Sequence, residues 1–208
     1  MSLPDLFISA PPRSELPARL TRLYSGLILF GIGVAMMVRG DLGLSPWEVL
    51  HQGLSFRTGI LLGTMGILVG IAVLVFWIPL RQKLGIGTVS NVVVVGIVID
   101  LTLWRMPEEF SSTPVRWLLL VGGVALVGVA TSLYIGAGMG PGPRDGLMTG
   151  LASRGWPIGV VRVVLELTVL AIGWLLGGTV GIGTVLFALG VGPIVHVTLP
   201  FLEVSSPS

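Results

Sequence analysis

The sequence predicts an all-α protein, a polytopic membrane helix bundle. About six full transmembrane helices and two short motif helices are expected, in two internal repeats that are preferably inverted. Three observations lead there. The 208-residue chain is 53% hydrophobic and only 11% charged, against about 25% charged residues in soluble domains. Several apolar runs approach the ~20 helical residues that cross hydrocarbon. One short polar stretch occurs twice: Leu42-Gly43-Leu44-Ser45-Pro46-Trp47-Glu48-Val49-Leu50, then Met139-Gly140-Pro141-Gly142-Pro143-Arg144-Asp145-Gly146-Leu147.

Residues 1–16 read as a polar cytoplasmic tail, with Asp5, Glu15 and prolines 4, 11 and 12. Arg19 and Arg22 precede the first apolar run, Leu23 to Val38, which is read as a retained helix because its length and flanks suit a span better than a signal peptide. Arg39-Gly40-Asp41 ends it.

The motif follows, with room for a helix only from Pro46 to about Phe56. At 1.5 Å per residue such a helix covers about half the hydrocarbon core, so it is expected to be re-entrant or interfacial. Re-entrant backbone is tolerated where protein or a water-filled cavity surrounds it. Ser45 is placed at the N-cap, Pro46 at the first helical position and Glu48 at the third, the spacing of a capping box.

Ile60 to Leu80 is the second span, and Gly85-Ile86-Gly87-Thr88-Val89 opens a third that runs to Arg105. Residues 106–115, with Pro107, Glu108, Glu109 and Pro114, form the linker between two membrane halves, 17–105 and 116–201. The second half follows the same plan. Arg116 to Gly136 spans, Pro143 to about Ser153 is a short helix, and Trp156 to Leu176 spans. Gly181-Ile182-Gly183-Thr184-Val185 opens a last span ending near Pro200, and residues 202–208 form a tail.

The repeat rests on markers held in one register. Gly43, Pro46, Leu50, Gly53 and Arg57 recur 97 residues later as Gly140, Pro143, Leu147, Gly150 and Arg154. The Gly-Ile-Gly-Thr-Val block and Gly96 recur at a separation of 96. Three spans per half would turn the second half over in the membrane. If the short helices crossed fully, the halves would be parallel. Both counts put seven basic residues inside and four outside with a cytoplasmic N-terminus.

Ionisable groups at membrane depth are costly and mark functional candidates. Arg162 and Glu166 stand four apart on one helix face, as a charged cavity wall or as a structural ion pair. Asp100 and His196 hold matching places in the third and sixth spans, as a proton relay or as solvated helix ends. Asp41, Ser45, Pro46, Glu48 and His51 cluster at the first motif; Pro143, Arg144 and Asp145 cluster at the second. Glu48 and Asp145 suit helix dipoles as well as a ligand. Arg144 stands where the first motif has Trp47, so only the second offers a cation to an anionic group.

Catalysis finds no support: HExxH, GxSxG and CxxC are absent and the chain has no Cys. Gly136-Ala137-Gly138-Met139-Gly140 imitates a phosphate loop only superficially, because it follows a membrane helix and lacks the Lys and Ser/Thr. No cofactor or metal is expected. The net charge of +2 is scattered at helix ends, which argues against nucleic acid.

The paired Gly-x-x-Pro stretches, the Gly-Ile-Gly-Thr openings and the size resemble the YczE/YyaS/YitT family of bacterial integral membrane proteins. The stretch Gly140-Pro141-Gly142-Pro143-Arg144-Asp145-Gly146-Leu147 is most like the YczE branch. The resemblance covers residues 18–200. It implies the bacterial plasma membrane and a transport or export role, and it brings no established site residues. The expected function is a small-molecule transporter or export-related permease with its site between the motif helices. The alternative is a non-transporting subunit of another membrane complex. The expected partners are the lipid bilayer, an unknown small molecule, and a second copy or another membrane protein.

Overall fold

A computed structural model describes residues 14–204. Most of the expected N-terminal tail and the last four residues of the C-terminal tail lie outside the described residues. Eight helices are found among those described: α1 Leu16–Gly40, α2 Pro46–Thr58, α3 Leu62–Leu80, α4 Ile86–Arg105, α5 Thr113–Gly136, α6 Pro143–Ala152, α7 Ile158–Leu175 and α8 Ile182–Leu202. Six of them, all but α2 and α6, are long and apolar enough to cross a membrane. The linker is shorter than expected because α5 begins at Thr113, with Pro114 in its first turn, where a missing N–H costs nothing.

Small residues set the packing. In lipid no hydrophobic effect drives helices together, so close backbone approach supplies the attraction. The centre of the bundle is the pair α1 and α5. A Cβ on Gly26 would meet Ala130 and Tyr134; one on Gly33 would meet Val127 and Gly123; one on Gly40 would meet Arg116. Rising numbers on α1 meet falling numbers on α5, so the two helices run antiparallel. Gly31 packs on Val98, between contacts of Tyr24 with Ser90 and Arg39 with the Leu103 carbonyl, so α4 runs parallel to α1, and Gly128 packs on Ile194, which sets α8 beside α5. Leu23, Leu27, Phe30, Val34, Val127 and Ala130 fill the buried space along this pair.

The two Gly-Ile-Gly-Thr turns are held by reciprocal contacts. Gly87 N–H donates to the Met139 carbonyl at 2.8 Å, and Gly183 N–H donates to the Leu42 carbonyl at 2.7 Å. Thr88 Oγ1 accepts from Gly85 N–H, and Thr184 Oγ1 accepts from Gly181 N–H. Each turn thus docks on the chain that leads into the other half's short helix. That leading chain needs glycine: Gly43 has φ +114° and Gly140 φ +120°, a region that costs any other residue strain. A Cβ on Gly43 would also stand 2.7 Å from Gly181 N, and one on Gly140 would stand 2.8 Å from Gly85 Cα.

The short helices occupy opposite ends of the bundle. The C-terminal end of α2 lies beside that of α7, where the Arg57 guanidinium donates to the Leu176 carbonyl. The C-terminal end of α6 lies beside that of α3, where Arg154 donates to the Pro79 carbonyl. At 13 and 10 residues they measure about 20 and 15 Å, short of the ~30 Å core. Their N-terminal turns point inward. Leu44, Ser45, Trp47, Glu48 and Val49 are all buried.

Gly43→Ala and Gly140→Ala are each expected to lower stability by about 1–3 kcal/mol, through strain at positive φ and crowding of the facing glycine. The thermal midpoint of purified protein in detergent measures this, with Gly59→Ala as a strain-only comparison, because its Cβ would meet nothing.

Candidate functional site

The two inward tips meet through one ion pair. Arg144 Nη2 donates to Glu48 Oε1 at 2.8 Å, across 96 residues of sequence. Proline at the first helical position starts each helix, and this places the acid or base of the following turn at the tip. Ser45 Oγ accepts from Glu48 N–H at 3.4 Å. The predicted capping box is therefore half made. The Glu48 carboxylate does not return to its own cap because it is committed to Arg144.

Glu48 is buried, 3% exposed, and Arg144 is half-buried beside it, its side chain 28% exposed. The Arg144 guanidinium lies 5.9 Å from the Phe30 ring centroid and 5.7 Å from that of Trp47, within reach of a cation–π attraction. Asp145 does not pair with it directly; its Oδ2 accepts from the Tyr134 hydroxyl at 3.1 Å. Burial disfavours charge on Arg144, but Glu48 and then Asp145 outweigh it and raise its pKa above the usual arginine value. His51 Nδ1 stands 3.9 Å from Glu48 Oε1. Burial pushes that imidazole down to about 4 against the pull of Glu48, so it is neutral at ordinary pH. Glu48 Oε2 and Trp47 Nε1 are buried without a hydrogen-bond partner. Pro143 contributes its carbonyl, which accepts from Trp77 Nε1 at 3.0 Å.

Two cavities flank the pair. One is lined by Glu48, His51, Gly66, Gly70, Asn91 and Arg144, with apolar walls from α3 and α4. The other, of about 110 Å³, is lined by Tyr134, Arg144, Asp145, Thr131, Arg162 and Glu166, with Phe187 and Val191 of α8. That volume holds several waters. Arg144 and Asn91 belong to both.

The structure brings together Ser45, Pro46, Glu48, His51, Pro143, Arg144 and Asp145. It places Arg162 and Glu166 at the rim of the second cavity, paired at 3.2 Å. Asp41 lies elsewhere. It terminates α1 at φ +48°, and its largely exposed carboxylate meets Arg116 at 3.2 Å. Asp100 and His196 lie on different helices, α4 and α8. The Asp100 carboxylate caps α3, accepting from Gly63 N–H at 2.6 Å, Thr64 N–H at 2.8 Å and Thr64 Oγ1 at 2.7 Å, while His196 is exposed on α8. Sequence reading passed over Asn91, Tyr134 and Trp77. The signal for Asn91 was an amide standing at the head of the apolar run from Val92 to Ile99. Among the described residues no group of three or more His, Cys, Asp or Glu is placed to hold a metal.

The sequence profile of DUF6198, a family of unknown function, matches residues 17–200. An uncharacterized protein of Haemophilus influenzae is 40% identical over 177 residues, covering 84% of this chain and 80% of its own. The uncharacterized membrane protein YczE of Bacillus subtilis is 35% identical over 191 residues, covering 90% and 88%. The uncharacterized protein YyaS of the same organism is 28% identical over 187 residues, covering 86% and 90%. No solved structure matches the chain.

Removing one member of a buried ion pair strands the other's charge. Arg144→Met is expected to cost about 3–5 kcal/mol, and Arg144→Met with Glu48→Gln markedly less. Thermal unfolding of the two single variants and the double variant measures the coupling.

Proposed function

We propose that this chain, which belongs to the DUF6198 family, is a small-molecule transporter built from two inverted repeats, with its substrate site where the two short helices meet. The observation that carries this reading is the ion pair of buried Glu48 with Arg144, joining two non-spanning helices from opposite ends of the bundle. Non-helical or broken backbone at depth survives only against protein or a wet cavity. Helix N-termini that converge at mid-bundle are how transporters of this plan hold charged substrates. Arg144 supplies the positive charge and borders both cavities, which favours a substrate with an anionic group.

The reciprocal contacts support the inverted repeat. Contacts of one half recur in the other at 96 or 97 residues: Gly87 on Met139 against Gly183 on Leu42, Gly31 on Val98 against Gly128 on Ile194. Repeats related by an in-plane two-fold set their first helices antiparallel, as α1 and α5 are. The site is also asymmetric where a substrate needs it to be: Trp47 faces Arg144 across the axis. The bacterial plasma membrane with a cytoplasmic N-terminus is part of the proposal. The orientation follows from the excess of Arg and Lys on that side.

The Cys-free chain permits clean tests. Single cysteines replacing Arg57 and Arg154 are expected to react with a membrane-impermeant maleimide from opposite faces; reaction from one face overturns the inverted arrangement. A cysteine replacing Asn91 is expected to react from either face in right-side-out and inside-out vesicles. Access from one face only would favour a non-transporting subunit. Arg144→Ala is expected to abolish flux in proteoliposomes while the protein still inserts.

A further inference from the structure

We infer that the seam between α7 and α8 is a lateral mouth, through which an amphiphile with an acidic head enters the Arg144 cavity from the bilayer. The inference rests on the transport reading and names its substrate class. It starts from a difference between two seams that the proposed repeat makes equivalent.

The seam between α3 and α4 is shut. Gly63 lies directly on the Gly96 carbonyl, and a Cβ on Gly70 would stand 3.0 Å from Val92. Asp100 then ties the start of α3 to α4 through Gly63 and Thr64. The positions 96 residues later are Gly159, Glu166, Gly192 and His196. A Cβ on Gly159 or on Gly192 would meet nothing within 4 Å, and His196 is exposed. Gly70, which lets α3 close on Val92, corresponds to Glu166, and Gly66, which faces His51 of α2, corresponds to Arg162; both charged side chains line the second cavity. The separation that relates the contacts of Gly87 and Gly31 to those of Gly183 and Gly128 therefore fails at one seam, and that seam carries the charges.

The mouth has the chemistry of a head-group port. Arg162 is 63% exposed in its side chain and Glu166 29%, within a helix whose neighbouring Val160, Val163, Val164 and Leu167 are all exposed to lipid. Charge at such a place is expensive unless it meets a polar ligand or water. Behind it the cavity offers Thr131, Tyr134, Asn91 and Arg144 to a head, and Val127, Phe187 and Val191 line an apolar exit for a tail. An acidic head finds two guanidinium groups along this route, Arg162 at the rim and Arg144 behind it. Arg162 is bonded through Nε alone, which leaves its terminal N–H groups facing the opening.

The test uses bimane on a cysteine at Thr131, inside the cavity, and at Leu68, on the lipid-facing side of α3. The probe is stearic acid carrying a nitroxide near its carboxyl end, compared with its methyl ester, in neutral phosphatidylcholine vesicles. Quenching at Thr131 relative to Leu68 is expected to be stronger for the acid than for the ester. The excess should be lost in Arg162→Ala with Glu166→Ala, and lost in Gly159→Trp with Gly192→Trp, which fill the seam. Equal quenching by acid and ester, or an excess that survives the filled seam, overturns the proposal. Ready disulfide formation between two copies through a cysteine at Gly192 assigns the seam to a dimer and also overturns it. A failure here with Asn91 still reached from both faces would leave a transporter of water-borne substrates.

Discussion

A single charge pair organises the interior. Glu48 and Arg144 come from opposite ends of the bundle and meet where the carboxylate is buried and the guanidinium borders two cavities. Such a pair rarely adds much net stability, because the desolvation of both charges offsets their attraction. What it does is fix a register: α2 and α6 must arrive tip to tip, since either charge alone would be stranded. The surrounding structure serves that meeting. Phe30 and Trp47 flank the guanidinium, Tyr134 takes the neighbouring Asp145, and Trp77 holds the backbone at Pro143.

Glycine makes the meeting possible. The chain entering each short helix turns at Gly43 or Gly140 in a conformation that other residues adopt only under strain, and it does so against a glycine of the opposite half. Large and small residues also exchange places across the bundle. Trp77 covers Gly146 on one side, while Gly173 packs on the Val49–Leu50 backbone on the other. In a medium where helices gain nothing from hiding apolar surface, this complementarity of shape carries the packing.

The two halves differ where chemistry is concentrated. Trp47 against Arg144, Gly66 against Arg162, Gly70 against Glu166, and Asp100 against His196 are each a replacement of one chemical character by another. These differences place the polar groups of α6 and α7 on one flank and leave the α3–α4 flank closed by glycine.

Composition and segment length were enough to determine an all-helical membrane protein with six spans and two helices too short to cross, because hydrocarbon demands length and satisfied backbone. The duplicated motif also pointed to both tips, so Ser45, Glu48, Pro143, Arg144 and Asp145 were legible as one cluster. Only the tertiary structure decided which of them touch. It gave Glu48 to Arg144 instead of to its own cap, sent Asp41 to Arg116, and made Asp100 the cap of α3. The reason is that a carboxylate's partner is set by the nearest unsatisfied donor in space. In a bundle that donor comes from a helix 36 to 96 residues away, a distance over which sequence spacing carries no geometry.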